Sequence, residues 1–342
     1  MTLLSALAGD PEIETLLSDE AQLAAMLAFE RALAEASAEV GFISEDAATT
    51  ILSALRSFQP DWPDLEAGMA QDGVVVPALI RQLKALFPEP HRAALHKGAT
   101  SQDVTDTALM LQLAEIFDVY EARLSALLEK LDLLAAENGG KALMAHTRMQ
   151  VALPTTWGAK LASWSEPLKR HLQALVSMRR SLLVVQLGGP VGDRGSFGTQ
   201  GDTIAAGMAK RLDLGLATPW QATRDPIMAL GSLLAQISGS LGKLGMDVTL
   251  LAQNEIGAIG LAGGGGSSAM AHKSNPVNAE VLVALARYNA GLSGTLAQAQ
   301  VHENERSGAA WTLEWLTLPP MLVTTGASLR MTRKLLDQLR IA

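Results

Sequence analysis

The sequence predicts an all-α fold organised around a bundle of long helices, and three observations carry that prediction. Residues Val104 to Asn138 contain neither Gly nor Pro and place Leu109, Leu113, Ile116, Phe117, Tyr120, Leu124, Leu127, Leu128, Leu131 and Leu134 at helical spacing. Hydrophobic residues make up 48% of the chain and aromatics only 4%, so the core must be built from Ala, Leu, Val, Ile and Met, which suit packed helices. No segment alternates apolar and polar residues as a half-buried strand would.

In chain order, Asp19 to Val40 carries apolar positions at Leu23, Met26, Leu27 and Leu33, with Asp19 and Gln22 resembling a capping box and Gly41 placed to stop the helix. A second helix is predicted from Ser44 to Phe58, ended by Pro60, and a third before Pro88. These short helices form an expected N-terminal domain over residues 1–103. The bundle, residues 104–342, begins with the long Val104–Asn138 segment, ended by Gly139-Gly140. A second long helix, Gly158 to Gln186, is interrupted only by Pro167, which should kink it. A third starts at Asp225-Pro226, read as cap and first helical position, and runs to about Glu255. Two more follow Pro276 and Pro319-Pro320. Gly231, Gly239, Gly242 and Gly245 fall inside the third, where each costs about 1 kcal/mol relative to Ala, so close helix–helix contact is expected there. Five long helices need partners to cover their apolar faces, which predicts self-association through the bundle.

The net charge of -8 argues against a nucleic-acid partner, which would need a clustered basic surface. Any anionic substrate must therefore meet positive charge concentrated locally in a pocket. The absence of cysteine excludes disulfides, thiolate nucleophiles and Cys-ligated metals. Met1 to Asp10 lacks the pattern of a secretory signal, and no uninterrupted apolar stretch reaches the ~18 residues of a membrane span. A cytoplasmic protein with no membrane partner is the expectation.

Three polar stretches break the helical pattern. Gly98-Ala99-Thr100-Ser101-Gln102-Asp103 precedes the longest helix. Taken alone, the capping reading is favoured, although hydroxyls and free N–H groups at a helix N-terminus also bind a carboxylate. His146-Thr147-Arg148-Met149-Gln150, followed by Leu153-Pro154-Thr155-Thr156, is weak by itself. The third stretch runs from Gly263 through Gly266 to Ser267, Ser268, Ala269, Met270, Ala271, His272, Lys273, Ser274, Asn275 and Pro276. It joins four glycines to a dense set of hydroxyl, amine and amide groups and reads as a mobile catalytic lid, with Asn275-Pro276 capping the next helix and Glu280 one turn further in. The spacing of a phosphate-binding loop is absent.

That third stretch closely resembles the GSSxMPxKxNP signature of the fumarase/aspartase superfamily, with Ala271 where the pattern has Pro. The other two stretches fall at the separations of the superfamily's remaining active-site regions. Within the superfamily, His96 ahead of the Gly98–Asp103 stretch, and His302-Glu303-Asn304-Glu305-Arg306 followed by Trp311 to Trp315, are similar to the lactonising cycloisomerase branch. The resemblance implies a homotetramer whose active sites combine the three regions from different subunits, acting without cofactor or metal on a small anionic tricarboxylate. It implies that Ser267 matches the carbanion-forming base, supported by Ser268 and Met270. Lys273 and Asn275 match carboxylate ligands, Thr100, Ser101 and Gln102 match first-region ligands, and Glu280 matches the carboxylate of a His–Glu relay. Gln150, His302 and Arg306 are further expected ligands.

Two departures shape the expected chemistry. The superfamily's second-region histidine falls here on Arg148, and His146, two residues upstream, does not inherit its role. Expelling hydroxide or an amine needs a general acid, whereas a carboxylate leaves unaided, so ring closure by a carboxylate survives this change. Arg148, Lys273 and Arg306 then supply three cations for three carboxylates, and Lys273 is favoured over Ser267 as carbon acid/base because a buried ammonium releases its proton more readily. The chain also stops at Ala342, where larger members continue into a small C-terminal domain, and Lys97 occupies a position that is commonly aromatic. Another lyase of the superfamily, of adenylosuccinate or argininosuccinate type, and a non-catalytic helical scaffold are the alternative readings.

Overall fold

Serine and aspartate oxygens start the short helices. Ser18 accepts from the Ala21 N–H at 3.2 Å, Ser44 from Ala47 at 3.2 Å and Asp61 from Asp64 at 3.2 Å. A computed structural model describes residues 3–266, 269–270 and 273–342. The N-terminal layer comprises α1 (Leu3–Ala8), α2 (Pro11–Leu16), α3 (Asp19–Glu39), α4 (Glu45–Ser57), α5 (Trp62–Asp72), α6 (Val76–Ala85) and α7 (Glu89–Arg92). Then come α8 (Ser101–Asn138), a hairpin of β1 (Ala142–Thr147) and β2 (Gln150–Thr156), and α9 (Trp157–Leu182). A 3-10 turn over Gly195–Gln200 leads into α10 (Gly201–Leu212), followed by α11 (Asp225–Leu251) and β3 (Ile259–Leu261). The chain finishes with α12 (Val277–Gln298), α13 (Gly308–Gln338) and β4 (Leu339–Ile341), which pairs antiparallel with β3.

Helices α8, α9, α11, α12 and α13 form the bundle, with α11 at its centre against α9, α12 and α13. Helix α3 packs on both α8 and α10, so one continuous core runs from the N-terminal layer into the bundle. Helix α11 is long and apolar enough to cross a membrane by composition, yet 56% of its most apolar window is buried inside the protein. Its glycines explain that packing. A Cβ on Gly231 would stand 2.3 Å from Leu296, one on Gly242 2.4 Å from Ala286, and one on Gly245 2.6 Å from the Ala279 carbonyl oxygen, whereas Gly239 has nothing within 4 Å. Close approach therefore accounts for three of the four glycines. Gly239→Ala is expected to stabilise the protein by about 0.5–1 kcal/mol, and Gly245→Ala to destabilise it because the obstructing atom is backbone. Urea unfolding of the two variants reads the opposite signs. Asn289 adds a polar register to this apolar interface, donating to Ser238 Oγ at 2.7 Å and Thr325 Oγ1 at 2.9 Å across three helices.

Several sequence expectations change. The start of α3 is capped by Ser18, one residue before Asp19. Asp225 is the first residue of α11 rather than its cap, since the helix begins directly after Arg224. Pro319 and Pro320 lie inside α13, which is capped by Ser307, its hydroxyl accepting from the Ala310 N–H at 3.1 Å. Helix α9 continues through Pro167 but ends at Leu182, before Gln186. The β1–β2 hairpin contradicts the expectation of no strands. Thr147 pairs with Gln150, so the turn is Arg148-Met149, both left-handed with φ of 49° and 65°, the geometry of a two-residue primed turn.

Candidate active site

Thr100 begins the longest helix, and half a capping box forms there, the Thr100 N–H donating to Asp103 Oδ2 at 3.0 Å. The Thr100 hydroxyl instead accepts from Arg306 Nη2 at 3.2 Å. Arg306 Nε donates to Gln102 Oε1 at 2.9 Å, and Nη2 also reaches the Pro190 carbonyl at 3.4 Å. Arg306 is thus an exposed cation held in a fork at the N-terminus of a 38-residue helix. Both its fixed charge and the free N–H groups of the first helical turn favour an anion there.

Gln102 is fully buried, and its orientation is dictated from below. Asp106 Oδ2 takes one amide hydrogen at 3.1 Å and the Gln221 carbonyl another at 2.8 Å, which leaves the amide oxygen facing Arg306. Gln102 therefore positions Arg306. Asp106 in turn accepts from Arg224 at 2.7 and 3.1 Å, while Arg224 Nε donates to Glu314 at 3.0 Å and its Nη2 to the other Glu314 oxygen. The Arg224 guanidinium lies 4.7 Å from the Trp220 ring centre. Burial pushes the Glu314 carboxyl up while the guanidinium pulls it down; burial lowers Arg224 itself, but the two acids outweigh that and hold it above its ordinary value. Two buried carboxylates thus share one guanidinium.

Asp103 fastens the same end. It accepts from the Gly188 N–H at 2.7 Å, the Gly189 N–H at 2.9 Å and Gln186 Nε2 at 3.0 Å, tying α8 to the segment that carries Pro190. Burial pushes its carboxyl up to about 6, with these donors opposing the shift. His302 lies close enough to feel the Arg224 and Asp106 charges. Burial first, and the Arg224 cation second, hold it below its ordinary value, with the Asp106 and Glu303 charges and the Ala299 backbone opposing the shift.

His96, itself at φ 60°, contacts Glu30 through Nδ1 at 2.6 Å beneath this site. Burial lowers the imidazole, but the Glu30 carboxylate outweighs it and the net shift is upward. The stabilisation from protonated His96 is therefore complete below about pH 6.5 and is lost as pH rises through the raised native value. Wild type should exceed His96→Gln in unfolding free energy at pH 6 by more than at pH 9, as measured by urea titration. Next to it, Lys97 donates to the Phe42 carbonyl at 2.8 Å and lies 4.2 Å from the Phe42 ring centre, so it is a packing residue.

The other sequence candidates lie at the opposite end of the chain's long axis. Helix α8 is roughly 57 Å long at about 1.5 Å per residue, and the hairpin follows its far end. Helix α13 starts beside Arg306 and finishes at that far end, where Lys141 Nζ donates to the Ile341 carbonyl at 3.3 Å. The Ala262 N–H donates to the Gln338 carbonyl at 2.9 Å, which fixes the glycine stretch there as well. Arg148, Gln150, Met270, Lys273 and Glu280 are all exposed, and Asn275 is half-buried. One protomer thus brings together Thr100, Gln102 and Arg306, with Ser101 beside them in the first turn of α8, and keeps Arg148 and Lys273 remote from them. Lys273 is not buried within one chain, against the expectation that burial tunes it.

The glycine stretch is fastened at its neck. Gly265 and Asn275 exchange both backbone hydrogen bonds at 2.8 Å. A Cβ on Gly264 would stand 2.0 Å from Ser274 Oγ, and one on Gly265 2.5 Å from Val277, so these glycines permit close packing. Asn275 does not cap α12; its side chain reaches the Gly266 carbonyl at 3.5 Å. Ser267 and Ser268 lie outside the described residues. Asp106, Arg224 and Glu314 stand in no motif, and the one local signal of them is Asp103 and Asp106 one turn apart in an apolar helix.

Comparison with known proteins shows what the chain resembles. A sequence profile described as lyase matches residues 11–289. The chain is 39% identical over 337 residues to the 3-carboxy-cis,cis-muconate cycloisomerase of Pseudomonas aeruginosa, covering 96% of this chain and 73% of the relative. It is 31% identical over 330 residues to trans-aconitate decarboxylase 1 of Mycosarcoma maydis, covering 95% and 67%. The crystal structure of 3-carboxy-cis,cis-muconate lactonizing enzyme from Pseudomonas putida superposes with a TM-score of 0.93 at 35% identity, covering 99% of this chain and 77% of that one.

Proposed function

Because the chain belongs to the lyase family and has its fumarase/aspartase-type helical fold, we propose that it is a 3-carboxy-cis,cis-muconate cycloisomerase that works as a homotetramer. In this reaction one carboxylate oxygen bonds to a carbon of the neighbouring double bond, and the displaced π pair moves to the carbon beside another carboxylate. That carbon takes a proton from the enzyme, the enzyme recovers one from water, and the product is 4-carboxymuconolactone. Nothing is expelled, so no acid is needed for a leaving group. Catalysis consists of curling a trianion, stabilising the charge that builds on one carboxylate, and delivering the proton.

The observation that carries this reading is the separation of the cations. Arg306 is fixed at one end of the bundle by Thr100 and Gln102, while Arg148 and Lys273 are exposed at the other. Protomers packed antiparallel would set one chain's Arg306 beside its partners' Arg148 and Lys273, three cations for three carboxylates. Arg148 stands in a left-handed turn that costs a non-glycine residue energy, which supports a functional placement. The hairpin also exposes Met149 at 74% and Leu153 at 75%, apolar surface that a neighbouring subunit would cover.

The test is to incubate the protein with 3-carboxy-cis,cis-muconate, with no metal or nucleotide added, and follow the conjugated-diene absorbance. Its loss with one equivalent of lactone supports the reading. Persistence of the diene overturns it. Fumarate release from adenylosuccinate or argininosuccinate would then identify another lyase, and inertness towards all three a scaffold. Light scattering at the mass of four chains supports the assembly, and a monomer overturns it.

A further inference from the structure

A cavity of about 540 Å³ lies between the N-terminal layer and the bundle, walled by α3, α5, the start of α8 and α13. Neither Thr100, Lys273 nor Arg306 lines it, so it is separate from the anion site. Its volume falls within the roughly 300–1,000 Å³ of small-molecule pockets. Two indoles, Trp62 and Trp315, supply aromatic surface, and Met26 and Met69 supply flexible apolar wall that adapts to a ligand's outline. Trp315 is braced by Trp311 at a ring separation of 4.4 Å. Its charge is one-sided. Among the described residues, every ionisable side chain on the wall is an acid, namely Asp19, Glu66, Asp106 and Glu314. Arg224 behind the wall pairs with both buried acids, and Asp19 and Glu66 are exposed on the wall without a basic neighbour there.

We propose that this cavity binds an organic cation with an aromatic body, a ligand class opposite in charge to a carboxylate substrate. Ring faces attract a cation through their quadrupoles, the acids set its sign, and the apolar wall accepts its body. An aromatic carboxylate of the same shape gains the apolar contact but meets uncompensated negative charge.

Isothermal titration calorimetry of the assembled protein with 2-naphthylmethylammonium and 2-naphthylacetate separates the two. Saturable binding of one cation per chain is expected, with the anion weaker by about tenfold or more. Ala70→Trp, at an exposed rim position, should fill the cavity and abolish cation binding, and Glu66→Lys, also exposed, should weaken it by about tenfold. Equal affinity for cation and anion overturns the proposal, as does wild-type affinity in both variants or the absence of saturable heat in the millimolar range. The charge comparison uses the wild-type protein, so it holds even if a variant folds poorly.

Discussion

Arg224→Met is expected to destabilise the folded protein by about 3–5 kcal/mol, the range for removing one partner of a buried ion pair. The guanidinium is 1% exposed and serves two carboxylates that are themselves buried, Asp106 and Glu314. Methionine fills a similar volume without donors, so both acids would face each other in a low dielectric with nothing between them. They can escape by taking up protons, which moves the loss with pH. The variant should recover more stability than wild type as pH falls and the acids neutralise. Urea unfolding at pH 5 and pH 8 measures this, and the triple variant with Asp106→Asn and Glu314→Gln should regain most of the loss by removing the stranded charges. A single-variant loss below about 1 kcal/mol, with no pH dependence, would mean that the trio is a surface-grade pair.

The long helices were legible because their signal is local and repeated. The Gly- and Pro-free apolar run of Val104–Asn138 became most of α8, displaced only by the three residues that precede it. Helix ends were less legible, because Ser18 and Asp19, or Arg224 and Asp225, are adjacent residues of which either could start a helix. Pro319 and Pro320 were read as a helix start, yet they sit within α13, where the chain beside them, at Leu316, is 69% exposed and water can satisfy a freed carbonyl. The hairpin was illegible for a physical reason. Its second strand is exposed or half-buried at every position within one protomer, so no inside–outside alternation exists to be read, and its turn lacks the Asn-Gly signature.

The candidate site divides in the same way. Thr100, Arg306, Lys273 and Asn275 stand in short motifs whose spacing is visible in one dimension. Asp106 and Arg224 meet across 118 residues and Arg224 and Glu314 across 90, and nothing in the local chain around any of them announces the others. What decides the orientation of Gln102, and through it Arg306, is therefore a property of the folded bundle. The composition of the glycine stretch reads as mobility, and the Gly265–Asn275 bridge with the crowding at Gly264 fastens its neck, details of pairing that composition does not carry.

If the proposed reaction is right, Lys273→Met should lower kcat by about 10²–10⁴-fold, the usual worth of a positioned acid or base, with a much smaller change in KM. Lys273 emerges from the fastened neck, its N–H donating to the Met270 carbonyl at 3.1 Å, and its side chain is exposed in one protomer. It acquires a dry environment only if a neighbouring subunit closes over it. Charge and proton delivery can be separated by a second variant. Lys273→Arg keeps a cation for the carboxylate but does not give up its proton at any working pH. It should therefore bind the trianion nearly as well as wild type and turn it over nearly as slowly as the Met variant. Initial rates of diene loss, with deuterium incorporation from D₂O at the protonated carbon, separate the two effects. A Met variant that keeps most of the turnover number would remove Lys273 from the chemistry and pass the carbon proton to Ser267. An Arg variant that restores turnover would instead make Lys273 a charge and nothing more.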